Sequence, residues 1–189
     1  IVDARQLDVQ RRLALRPGEL VCDDAGQQRR LPCFFYEVGS WQLAREIELA
    51  PGFGLWEFMD TDVHEPPIVR TYPRYVPCAV SLLASTLSAF RQQVKQPIWI
   101  SANGGYRSPA HRRSRQGSPH SWGTAANIYR IGDDWLDTQS AIERATLAAT
   151  RAVPALWARP FGESQGCSDD HLHVDLGFAT FVPRSAPGE

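Results

Sequence analysis

The sequence predicts an α+β domain: a small antiparallel sheet with flanking helices. Three observations carry this expectation. One long apolar stripe has a helical period, several short β-branched or aromatic runs are set off by Gly, Pro and Asn, and strands and helices do not alternate regularly. No internal repeat or low-complexity tract interrupts the 189 residues, a length suited to one globular domain with a modest N-terminal extension.

Residues 1–50 read as that extension, built of short strands and loops. Cys33-Phe34-Phe35-Tyr36-Glu37-Val38 is its clearest apolar run, and no long helical period appears there. Residues 51–189 read as the main domain. From Val80, the residues Leu83, Leu87, Phe90 and Val94 follow at steps of three and four, which predicts one helix that Pro97 stops. Ile98-Trp99-Ile100-Ser101 then reads as a strand, broken by Asn103-Gly104-Gly105. Residues 107–119 form a basic loop containing Ser and Pro. Residues 124–131 read as extended, residues 139–153 as a helix before Pro154, and His171 to Phe178 as a last buried strand.

Composition removes several classes of function. Twenty basic residues against 21 acidic ones give a formal charge of −1, so nothing draws the chain to nucleic acid or to an anionic membrane. There is no run of eighteen apolar residues and therefore no expected membrane span. The opening Ile-Val-Asp-Ala-Arg-Gln lacks the zones of a secretory signal and begins without Met, which fits a processed or trimmed form. Cys22, Cys33, Cys78 and Cys167 include no C-x-x-C pair, which argues against a zinc ribbon. Cys22 and Cys33 flank a turn-like stretch and could close a hairpin, which would favour the periplasm or an extracellular space; the alternative is buried thiols.

Three of the five histidines fall in two short segments, Ser118-Pro119-His120-Ser121-Trp122-Gly123-Thr124-Ala125-Ala126-Asn127 and Asp169-Asp170-His171-Leu172-His173. A catalytic zinc is held by three protein ligands with a fourth position left open, and His120 and His173 are the natural imidazole pair. Strand alternation sends Asp169, His171, His173 and Asp175 one way and Asp170, Leu172 and Val174 the other. A strand that starts at His171 would leave Asp170 in the entering loop, free to fold back towards an ion on His173 as a general base. D-x-x-H and H-x-H patterns also occur as satisfied core or surface groups. For Trp56, Trp99, Trp122, Trp135 and Trp157, five of the six tryptophans, core packing is the default, and only Trp122 is expected near the histidines.

Read together, Gly104-Gly105-Tyr106-Arg107-Ser108-Pro109-Ala110-His111, then Ser118-x-His120-x-x-Gly123-x-Ala125-Ala126, then Asp170-His171-Leu172-His173-Val174-Asp175, resemble the zinc D-Ala-D-Ala peptidase family. That family includes the vancomycin-resistance dipeptidases and, more distantly, the Hedgehog signalling domain. The resemblance spans residues 55–178, with Leu55-Trp56-Glu57-Phe58 and the helix from Val80 in the same order, and it leaves residues 1–50 unmatched.

The resemblance implies a zinc-dependent hydrolase with His120 and His173 as ligands and the position seven after His120 as the third. It implies Asp170 as general base and Arg107 facing the substrate carboxylate or the scissile carbonyl, a task suited to a guanidinium fork. His171 would line the cleft and steady the intermediate, and Ser118 would contact the substrate backbone. For Arg107 the competing reading is a solvated cation in a run with Arg112, Arg113 and Arg115. The implied substrate is a peptide ending in D-amino acids, such as a peptidoglycan stem peptide. The third ligand position departs from the family's Asp: it is Asn127, whose amide oxygen brings no charge. A native variant, a non-catalytic descendant and an introduced Asp-to-Asn change all fit that departure. The competing functions are a non-catalytic peptide- or cell-wall-binding module on the same fold and a different reaction on this scaffold.

Overall fold

The computed structural model describes residues 1–115, 117–163 and 169–184. The N-terminal third is cut by Pro, Gly and Asp into short pieces. These are β1 (Val2–Asp3), α1 (Val9–Leu15), β2 (Leu20–Cys22), β3 (Gln28–Arg30), β4 (Phe34–Val38), α2 (Trp41–Glu46), β5 (Glu48–Ala50), β6 (Phe53–Gly54) and α3 (Leu55–Met59). The helices α1 and α2 were not expected from the sequence. Each is too short to show a period and is fixed by its cap: the Asp8 carboxylate accepts from Arg11 N–H, and the Ser40 hydroxyl from Leu43 N–H.

The chain continues through α4 (Pro67–Arg70) and β7 (Arg74–Pro77) into α5 (Val80–Val94). The expected stripe is realised in α5: Val80, Leu83, Leu87 and Phe90 are fully buried, and Ala84 joins them. Lys95 closes the helix in a left-handed conformation, with Pro97 just beyond. Next come β8 (Ile98–Ile100), a 3-10 turn at Pro119–Trp122, β9 (Ala125–Ile131), β10 (Asp134–Trp135), α6 (Gln139–Ala152), β11 (Trp157–Ala158) and β12 (Leu172–Asp175). The last strand is shorter than the expected 171–178, because Gly177 turns with positive φ and its N–H is taken by the Asp175 carboxylate.

The fold is α+β, and every strand pair is antiparallel. The principal sheet runs β10-β9-β12-β11 with β8 also on β9. A second sheet, β1-β4-β7, joins strands from both sides of residue 50, and one apolar core holds Ala4, Leu15, Phe35 and Val38 together with α5, Ile128, Leu172 and Val174.

Two cysteine expectations resolve differently. The β2–β3 hairpin turns at residues 23–27 and sets Gln28 opposite Cys22, so the Cys22–Cys33 closure is not formed and no disulfide joins described residues. The Asp23 carboxylate, bonded to the N–H groups of Ala25 and Gln27 and to Arg29, holds this turn instead. Cys78 is buried, which pushes its thiol up to about 11, and Cys167 lies outside the described residues. No described helix is long and apolar enough to cross a membrane.

Candidate metal centre

Strand register builds the first group. β12 pairs with β9 so that His173 stands directly opposite Asn127, and directly opposed residues share a face. Ala126, Ile128, Leu172 and Val174 fill the core from the other face, each fully buried. The ladder therefore delivers Asn127, His173 and Asp175 together. His120 arrives from the 3-10 turn, and its ring centroid lies 5.1 Å from that of His173.

Each imidazole is oriented by a neighbour: His120 by a backbone carbonyl that no residue type announces, and His173 by the Asp175 that strand alternation sets on its face. His120 Nδ1 lies 2.7 Å from the Gly105 carbonyl, so Nδ1–H donates and Nε2 keeps a lone pair. Gly105 is required by close approach: a Cβ there would sit within 2.6 Å of Phe58 Cα. Burial, then the charge of Arg107, holds the His120 imidazole well below its ordinary pKa, with the Gly105 bond opposing, so it is neutral as a ligand must be. His173 Nε2 lies 3.0 Å from Asp175 Oδ2, while its Nδ1 lies 3.0 Å from Asn127 Oδ1. With Nε2–H given to the carboxylate, Nδ1 and an amide oxygen face one another as two acceptors, which a divalent cation would satisfy jointly. A turned Asn127 amide would satisfy them with an N–H instead. Two imidazoles with oriented second nitrogens and a buried amide oxygen are a donor set compatible with a divalent metal ion, and a neutral Asn127 is a weaker donor than Asp.

The remaining expected residues surround this group. Arg107 is half-buried, unlike the exposed Arg112, Arg113 and Arg115; its Nε donates to the Asn103 carbonyl at 2.8 Å, and its backbone N–H to His120 O at 3.3 Å. Asp170 precedes β12 in a bend, exposed, with Oδ1 2.7 Å from His171 Nδ1. The His171 pKa is lowered, chiefly by burial, with the Asp170 bond opposing. Ser118 caps the 3-10 turn, and its carbonyl accepts from Ser121 N–H. Trp122, expected near the histidines, is fully buried on the His120 turn: its Nε1–H donates to the Arg30 carbonyl and its ring meets Phe178. It pins the His120 turn to the β2–β3 hairpin. Trp157 is the tryptophan at the site, its half-exposed ring 5.9 Å from His173, and Trp99 and Trp135 are also exposed rather than packed in the core.

A second group escaped the sequence reading. Asp62, His64 and His111 can hold a metal ion, one ligand atom from each lying within 4.8 Å of the others. Asp62 Oδ2 is 2.8 Å from His64 Nδ1, and Oδ1 is 3.3 Å from His111 Nε2. Burial would raise the Asp62 carboxyl, but its bonds to His64 and His111 pull it below its ordinary value. Burial and then Arg107 lower His111. The only sequence signal was the Asp-x-His spacing at 62–64; His111 is 47 positions beyond His64. Glu65 supports the loop between the two groups, taking the backbone N–H and the hydroxyl of Ser108, both at 2.6 Å.

No protein-family model matches the chain, and neither the curated proteins nor the solved structures yield a match.

Proposed function

We propose that this chain is a zinc-dependent hydrolase of peptide or amide bonds, of the D-Ala-D-Ala carboxypeptidase type, acting on cell-wall stem peptides with a site weakened by Asn127. The observation that carries the reading is the meeting of His120, Asn127 and His173 on one face of the β9–β12 pair, each imidazole already oriented through its second nitrogen. A zinc ion held there supplies Lewis acidity, polarising a carbonyl and acidifying a water.

The protein's own residues do the rest. Asp170 takes the proton from the attacking water, while His171 Nδ1–H holds its Oδ1. Arg107, its Nε bonded to the Asn103 carbonyl, presents the guanidinium that meets the substrate carboxylate or the scissile carbonyl. Ser118 offers a polar contact to the peptide backbone at the entrance of the His120 turn, and Trp157 shields one side of His173.

The test compares the chain as it stands with Asn127→Asp, measuring bound zinc and release of D-Ala from a D-Ala-D-Ala peptide. A charged third ligand is expected to tighten zinc by about tenfold or more, equivalent to about 1.4 kcal/mol, and to raise turnover with it. If neither form binds zinc at His120 and His173, or both bind it and neither cleaves any peptide or amide, the hydrolase reading is lost. Peptide binding without turnover, unchanged in Asp170→Ala, would instead identify a binding module.

A further inference from the structure

The group at Asp62, His64 and His111 lies outside the machinery assigned above, and its geometry points to a role of its own. It joins two separate loops: the turn after α3, which carries Asp62 and His64, and the stretch after β8, which carries Asn103 and His111. The two Asp62 oxygens are divided between the imidazoles, Oδ2 to His64 and Oδ1 to His111.

Asn103 completes the ring. Its Nδ2 lies 3.0 Å from Asp62 Oδ2 and 3.2 Å from His111 Nε2, while its Oδ1 is buried with no hydrogen-bond partner. A buried, unpaired amide oxygen is costly. Half a turn of the amide exchanges the two atoms and aims that oxygen at the space shared by Asp62 and His111. The amide oxygen would then join, beside Asp62 and His111, the three ligand atoms that lie within 4.8 Å of one another, making an N₂O₂ set.

We propose that Asp62, His64, His111 and Asn103 form a second, structural site for a divalent transition metal, zinc being the probe of choice. A set of four protein ligands leaves no open position, which marks a structural rather than a catalytic site. The cation takes the place of the hydrogens that bridge the imidazoles to Asp62, each neutral ring then carrying its N–H on the other nitrogen, which for His111 is the Nδ1 facing Ser114 Oγ, and it ties the 60–65 turn to the 103–114 loop. The clip reaches the chemistry indirectly. Arg107 Nε is bonded to the carbonyl of Asn103, and Arg112 N–H to the carbonyl of His64, so the ion sets the loop from which Arg107 projects. Arg107 is therefore positioned by the second site without belonging to it.

The experiment measures zinc stoichiometry and tryptic cleavage in the full chain, in His64→Ala and Asp62→Asn, and in His173→Ala. His64 is partly exposed, so its truncation keeps the fold even if Asp62→Asn does not. The expected result is one zinc equivalent fewer in His64→Ala than in the parent, and one equivalent retained in His173→Ala. Zinc should slow trypsin at Arg112 and Arg113 in the parent and in His173→Ala, and leave the rate in His64→Ala unchanged. The proposal is overturned if His64→Ala binds as many equivalents as the parent, or if zinc protects the loop equally in both. If the parent binds a single equivalent that His64→Ala loses and His173→Ala keeps, this site stands and the hydrolase reading fails, so the two outcomes remain distinguishable.

Discussion

The two histidine groups are built on opposite principles. In the first, the β9–β12 ladder fixes the positions: His173 and Asn127 face each other because their backbones pair, and the same strands bury Leu172 and Val174 on the far side. In the second, Asp62, His64, Asn103 and His111 come from turns, joined by side-chain bonds and by isolated backbone bonds such as Arg112 N–H to His64 O, with no ladder between them. A strand-borne site inherits its precision from the core, whereas a loop-borne site must supply its own cross-links. Damage to the core should therefore reach the first group, while damage to single polar contacts should reach the second.

Leu172→Ala should give the largest effect. The side chain is fully buried beside His173, and its truncation should cost about 2–5 kcal/mol of unfolding free energy. Urea denaturation measures this directly. A loss below about 1 kcal/mol would show that β12 is not held by the core in the way this comparison requires.

Asp175→Asn is next. Asp175 takes Nε2–H of His173 and is itself held by Gly177 N–H, so the variant should keep the fold and lose orientation of the imidazole. Zinc affinity at the strand site should fall by about 10–100-fold, while affinity at the Asp62 group stays as it was. Equal losses at both sites, read by competition with a chromogenic chelator, would mean that the two groups are not independent.

Legibility in the sequence follows the same division. The helix α5 could be read because a period of 3.6 repeats along it, the strand β8 because its residues are β-branched and aromatic and Asn103-Gly104-Gly105 ends the run, and α6 because Pro154 marks its stop. The short helices α1 and α2 could not, since a cap and one or two turns carry no period. At the strand group, the alternation of Leu172, His173, Val174 and Asp175 was legible, but the pairing of His173 with Asn127 is a matter of register between strands 46 positions apart. The Gly105 carbonyl on His120 left no trace, because a backbone acceptor has no residue type. The partners of Trp122 are not legible either, because the Arg30 carbonyl and Phe178 that it meets lie 92 and 56 positions away. Asp62 and His64 were invisible as a group because their partners lie 41 and 49 positions from Asp62.

The smallest expected effect concerns Glu65, which holds the loop between the two groups. Burial pushes its carboxyl above the ordinary 4.5, and the two bonds from Ser108 only partly offset this. A group held above its ordinary pKa binds more protons in the folded chain than in the unfolded one. Between 4.5 and that raised value, stability must therefore fall as pH rises. Glu65→Gln removes the titration while keeping one acceptor oxygen, so it should cost about 0.5–1.5 kcal/mol for the lost Ser108 bond. Denaturant midpoints from about pH 4 to about pH 7 should show the parent losing ground relative to the variant as pH rises. A difference that stays constant across that window, or grows in the parent's favour, would mean that the Glu65 carboxylate is stabilised by Ser108 more than burial opposes it.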